Sequence, residues 1–240
     1  YEDENRLWPP AGPHAPPHAR NVRSTLVVLA ALGLFHDLTL QPAGKVLGIA
    51  VDWHGLGVMD AGRVLGGEWW RTVTALTLHA DGLHLLGNLA LGGILFALLN
   101  AQLGVGLGMA LALAAGALGN ATNALARGPT HLSLGLSTAV FGALGALAVR
   151  AAWSTAWRDW RRWVLPLGAG AGLVAMVGVG DQETDYAAHL FGFGWGLVGG
   201  LLTRWPLDLR RPLGRAASLA VGLAAAARGV EAWAAALGRG

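Results

Sequence analysis

His131-Leu-Ser-Leu-Gly135-Leu-Ser137-Thr-Ala-Val-Phe141-Gly-Ala-Leu-Gly145-Ala-Leu147 puts a serine two residues behind a glycine at the mouth of a long apolar helix. A Gly-x-Ser triplet arises readily by chance in a chain this rich in Gly, Leu and Ala. A helix N-cap or a small packing residue explains Ser137 equally well. Its weight as a candidate nucleophile comes from His84 and Asn88 on one apolar segment and His189 on another.

Composition fixes the setting of that helix. Charged residues make up 13% of the chain, against about 25% in soluble domains, and the mean hydropathy is +0.47. The chain therefore reads as an all-α, polytopic membrane helix bundle. Glycine accounts for 37 of 240 residues, roughly twice the usual share, and in membrane helices small residues let backbones approach closely. No cysteine is present, which excludes disulfides, thiol catalysis and thiolate metal sites. The net charge of +3 comes from basic residues placed between apolar runs. That pattern fits the positive-inside rule and not nucleic-acid binding.

Residues 1–23 are polar and rich in proline (Pro9, Pro10, Pro13, Pro16, Pro17) and read as an irregular tail. Segment 24–40, apolar apart from His36 and Asp37, is barely long enough for a hydrocarbon core that takes about 20 residues. It reads as a first span and not a cleaved leader, because no small-residue cleavage site clearly follows it. Residues 41–80 form a long connection ending in Gly67-Glu-Trp-Trp-Arg71, whose tryptophans favour the membrane interface. Five further spans are expected at 82–100, 103–125, 136–152, 163–180 and from Tyr186 to Thr203. The alanine-rich stretch 213–237 carries Arg228 and Glu231 one turn apart. It reads as a seventh span or a helix on the membrane surface, the second slightly preferred. The chain thus divides into a tail (1–23), a six-span membrane domain (24–205) and a cytoplasmic tail (206–240).

Charge orients the bundle. Arg150, Arg158, Arg161 and Arg162 follow span four, and Arg204, Arg210, Arg211 and Arg215 follow span six, so both clusters should be cytoplasmic. Asp181, Glu183 and Asp185 precede span six without a basic residue among them and should face outward. With six spans both termini lie inside, and His84, Ser137 and His189 all fall near the outer leaflet.

An ionisable side chain inside a span is costly and is a functional hypothesis by default. Gly192, Gly196 and Gly200 repeat at four-residue spacing beside His189, and Gly142 and Gly145 give span four a matching bare surface. Packing those faces brings His189 within reach of Ser137, as a serine nucleophile requires of its base. His84 and Asn88, four residues apart on one face, stand ready with the Ser137 N–H to stabilise an oxyanion. Asn88 serves equally as a simple interhelical bridge. Asp185 is one turn from His189 but reads better as a cap, so a Ser-His dyad is expected. His79 and His84 lack the spacing and the Glu of an H-E-x-x-H zinc site. No metal is expected, and His14, His18, His36, His54 and His131 receive no role.

Taken together, these residues resemble the rhomboid family of intramembrane serine proteases over roughly residues 24–205. Trp70-Arg71 looks like the family's first-loop motif, and His79 with His84-Leu-Leu-Gly-Asn88 is similar to its second-span motif. Gly135-Leu-Ser137 resembles its nucleophile motif, and His189-Leu-Phe-Gly192-Phe-Gly-Trp-Gly196 its sixth-span motif. The resemblance implies a six-span bundle with a water-filled cavity open outward, Ser137 as nucleophile, His189 as general base, and His84 and Asn88 at the oxyanion. It places Phe141 against the catalytic imidazole. It also implies no cofactor, substrates that are single-span proteins in the bilayer, and residence in the bacterial plasma membrane. Thr138 stands where the family usually has glycine, a departure that would favour the alternative of a catalytically inactive relative binding transmembrane helices.

Overall fold

A computed structural model of the chain describes residues 18–40, 51–153, 185–203 and 212–238. In chain order these form α1 (His18–Thr39), α2 (Trp53–Gly57), β1 (Met59–Asp60), α3 (Ala61–Leu65), α4 (Arg71–Thr74) and a 3-10 turn (Ala75–Thr77). There follow α5 (Gly82–Leu103), α6 (Val105–Arg127), β2 (Leu132–Ser133), α7 (Ser137–Trp153), α8 (Tyr186–Leu202) and α9 (Pro212–Leu237). The fold is a helical membrane bundle. Val22–Thr39, Gly82–Leu103, Val105–Arg127 and Ala216–Leu237 are long and apolar enough to cross a bilayer, while α7 and α8 are shorter apolar helices.

The two short helices form the centre, and glycine decides how closely they meet. A Cβ at Gly192 would fall on the Thr138 carbonyl, one at Gly196 on the Gly142 carbonyl, and one at Gly200 2.8 Å from the Ala146 carbonyl. The pairs 138–192, 142–196 and 146–200 advance together, so α7 and α8 run parallel, backbone on backbone. The chain therefore leaves α7 at one end of the bundle and begins α8 at the other. Helix α6 closes the third side, with Gly116 against Ala139 and Gly119 against Thr138 and Gly192. Helices α5 and α6 form a tight hairpin turned by Gly104, whose φ of +78° is left-handed. Helix α1 packs on α5, where the Asn100 amide donates to Thr25 Oγ1 at 2.9 Å.

Residues 51–80 fold into a capping layer of short elements. Arg71 is 1% exposed and braces this layer from inside. Its guanidinium donates to the Val58 carbonyl at 2.9 Å, the Gly55 carbonyl at 3.0 Å and the Glu68 carboxylate at 2.5 Å. Antiparallel pairing of Met59 with Ser133 and Asp60 with Leu132 ties the layer to the segment leading into α7.

The stretch 213–237, read as a seventh span or a surface helix, packs lengthwise on the bundle. Helix α9 runs alongside and parallel to α6: Ser218 Oγ accepts from Leu107 N at 3.1 Å near the start of both helices. Further on, Trp233 reaches Thr77 at the capping layer. Small residues explain the fit, since a Cβ at Gly222 would come 2.6 Å from Gly106 Cα. The Arg228–Glu231 pair, which favoured a surface position, satisfies itself at 2.8 Å on an exposed face. The expected span at 163–180, its flanking Arg158, Arg161 and Arg162, and the acidic Asp181 and Glu183 lie outside the described residues. So do the 1–17 tail and the side chains of Arg204, Arg210, Arg211 and Arg215.

Candidate active site

Ser137 is the first residue of α7, so its N–H is one of the free donors at a helix start. Both α7 and α8 have 17 residues, about 25 Å of helix against a hydrocarbon core of about 30 Å. With α7 ending level with its longer neighbours at one end, its N-terminus starts below their tops at the other. Arg150 marks the shared end, donating to Gln102 of α5 at 2.8 Å and to the Thr203 carbonyl after α8 at 2.7 Å.

The parallel glycine seam sets His189 opposite Ser137, with Nε2 and Oγ 2.8 Å apart. His189 is 6% exposed, and among the described residues its Nδ1 has no hydrogen-bond partner. Among the described residues no carboxylate completes a triad there. Asp185 is committed elsewhere: it caps α8 by accepting from Ala188 N at 3.2 Å. It also meets His131 Nε2 at 2.7 Å and the Asn123 amide at 2.5 Å. Burial pushes the Asp185 carboxyl up, but hydrogen bonds from His131, Ser133 and the Ala188 N–H outweigh it and hold the group below its usual range. Phe141, one turn into α7, lays its ring on His189 with centroids 4.4 Å apart and planes 33° apart.

The other wall comes from α5. Gly135 has φ +123°, and a Cβ built there would meet His84 Nε2 at 2.8 Å and Ser137 Oγ at 3.6 Å. Imidazole and hydroxyl thus share the space above this glycine. His84 Nδ1 faces the Ala80 N–H at 3.5 Å; accepting there leaves the proton on Nε2, the ring atom beside Gly135. Asn88 is buried on the same face, but its amide donates to the His84 carbonyl at 2.9 Å, an intrahelical bond one turn long. Trp70 and Arg71 do not line the pocket: Arg71 braces the capping layer, and Trp70 packs with Val73, Ala232 and Ala236. Gly192 and Gly196 act through the seam.

Thr138 is 2% exposed, and its methyl points into the space left by Gly119 and Gly192. The departure from glycine is absorbed in the seam with α6 and α8.

His79 carried only the resemblance at the sequence level, and its position gives it a use. It is fully buried, and Nε2 faces the Leu136 N–H at 3.4 Å. Burial, then the neighbouring imidazoles of His84 and His36, push its pKa down to about 4, so the ring is a neutral acceptor. The Asn123–His131–Asp185 cluster was also missed, because its members lie 8 and 54 residues apart and no spacing rule joins them.

A family model described as the rhomboid domain matches residues 66–206. The chain is also 30% identical over 182 residues to the Bacillus subtilis (strain 168) protein named "Putative rhomboid protease YdcA", a match covering 74% of this chain and 83% of that protein.

Proposed function

The chain belongs to the rhomboid family of intramembrane proteases, an integral membrane family, and from that premise we propose that it is a serine endopeptidase using a Ser137–His189 dyad. The observation that carries this reading is the 2.8 Å contact between His189 Nε2 and Ser137 Oγ at the start of a buried helix. As Ser137 Oγ attacks the scissile carbonyl carbon, His189 Nε2 takes the hydroxyl proton. The Ser137 N–H and the His84 Nε2–H are the donors for the oxyanion that forms. Collapse of the tetrahedral intermediate expels the amine, which receives the proton from His189. Water then attacks the acyl ester, His189 acts again as base, and the acid is released with Ser137 restored. The Phe141 ring limits the orientations open to the imidazole, a task an aspartate performs in a triad.

Substrates under this reading are single-span membrane proteins cut near the outer edge of the bilayer, in a bacterial plasma membrane, without a cofactor. Asn88 enters as an oxyanion donor through its second amide N–H, the first being held by the His84 carbonyl. The alternative of an inactive helix binder rested on Thr138, and its methyl is accommodated between two glycines.

The test is labelling of the purified protein with a fluorophosphonate, the adduct being located by mass spectrometry. Wild type should be modified on Ser137, while Ser137→Ala and His189→Ala should lose the adduct, with hydrolysis of a helical substrate falling by about 10⁴ or more. Peptide hydrolysis by pure Ser137→Ala protein overturns the reading.

A further inference from the structure

The corner that delivers Ser137 is built on the 3-10 turn and the two residues after it. Gly135 N donates to the Ala75 carbonyl at 2.9 Å and Leu136 N to His79 Nε2 at 3.4 Å. Two consecutive amides before the nucleophile are thus referred to the segment Ala75–His79. The aim of the Ser137 N–H and hydroxyl follows the position of that segment.

What holds the segment comes partly from its own layer. Thr74 Oγ1 donates to the Gly57 carbonyl at 2.7 Å, and Thr77 Oγ1 donates to the Thr74 carbonyl at 2.7 Å. His54 Nε2 also faces the His79 carbonyl at 3.4 Å, and a further contact comes from the far end of the chain: Trp233 Nε1 on α9 donates to Thr77 Oγ1 at 3.1 Å. The same indole lies flush on Gly57, where a Cβ would meet Trp233 Cη2 at 2.5 Å. It also packs with Phe35 of α1 and Trp53 of α2, with centroids 5.2 and 5.4 Å away. An indole kept only as an interface anchor turns its N–H to water or headgroups; this one spends it on the turn that carries the nucleophile's corner.

We propose that Trp233 is a positioning residue for the reaction, and that α9 is thereby part of the active-site scaffold, an inference that rests on the protease reading above. Trp233 touches neither Ser137 nor His189. It acts through Thr77 and the 3-10 turn on the direction of the nucleophile and the oxyanion N–H, so its removal lowers the rate of attack more than the binding of substrate.

The experiment uses the full chain in detergent with Trp233→Phe, Thr77→Val, Thr77→Ser and, as an exposed control on α9, Leu223→Ala. Each is measured for its fluorophosphonate labelling rate, for kcat and KM on a helical substrate, and for its thermal midpoint. Trp233→Phe and Thr77→Val should lower the labelling rate and kcat roughly threefold to tenfold, the range for one hydrogen bond, with KM unchanged and midpoints within about 2 °C of wild type. Thr77→Ser, which keeps the hydroxyl, should retain the rate. Wild-type rates in Trp233→Phe and Thr77→Val overturn the inference alone. Losses that track the midpoint, with Thr77→Ser no better than Thr77→Val, overturn it as merely structural. A folded wild type that takes no label at all overturns the protease reading and this inference with it.

Discussion

Gly135 concentrates the demands of the site in one residue. Its φ of +123° suits glycine, and a Cβ would meet His84 Nε2 at 2.8 Å. Gly135→Ala should therefore combine backbone strain of about 1–3 kcal/mol with displacement of the oxyanion donor. Fluorophosphonate labelling should fall at least about tenfold, more than the thermal midpoint suggests. His79 yields a prediction with a defined pH window. Its pKa is lowered from 6.5 to about 4, so between those values the unfolded chain binds a proton that the native chain refuses. Stability contributed by the neutral ring is present above pH 6.5 and is lost as pH falls toward 4, by about 3 kcal/mol in all. Unfolding of wild type and His79→Gln in detergent from pH 7 to 4 should show the wild type losing ground to the variant by about that amount. A constant difference between the two would count against the neutral acceptor.

Among the elements, α7 and α8 were legible in the sequence almost to the residue, expected at 136–152 and 186–203 and found at Ser137–Trp153 and Tyr186–Leu202. Apolar periodicity, small residues at four-residue spacing and capping residues all agreed there. Their seam predicts a sharp contrast between two glycines of α8 that differ by half a turn. A Cβ at Gly194 meets nothing within 4 Å, whereas one at Gly196 falls on the Gly142 carbonyl, which is backbone and cannot swing aside. Gly194→Ala should leave activity unchanged and hold or raise the thermal midpoint. Gly196→Ala should push α8 off α7, widen the Ser137–His189 contact and cost more than tenfold in labelling, with a lower midpoint. The capping layer was far less legible. Its elements have two to five residues each, too short for a period to register, and their positions come from Arg71 and from carbonyl partners 13 and 16 residues away. Asn88 shows the same limit for a single side chain, since spacing sets its face but not its hydrogen-bond partner.

At the scale of the whole molecule, the position of α9 decides where the chain ends. Sequence left the stretch ambiguous because an Arg–Glu pair one turn apart suits a surface helix as well as a span, and because the glycines and serine that fit it to α6 look like ordinary alanine-rich filler. Its 22-residue window Ala216–Leu237 is long and apolar enough to cross. It starts level with Gly106 at the foot of α6 and ends at the capping layer beside Thr77. The capping layer lies on the side of Ser137 and His84, opposite Arg150. If the positive-inside rule places Arg150 in the cytoplasm, parity then requires a C-terminus on the outer side, in place of the cytoplasmic one that six spans gave. A periplasm-active phosphatase fused after Gly240 should therefore be active and a fluorescent protein at the same position dark. Truncation before Pro212 should reverse the pattern, since the fusion point then follows α8 at the Arg150 end of the bundle. A bright fluorescent fusion on the full chain would return the last helix to the cytoplasmic face and detach Trp233 from the turn that carries the nucleophile.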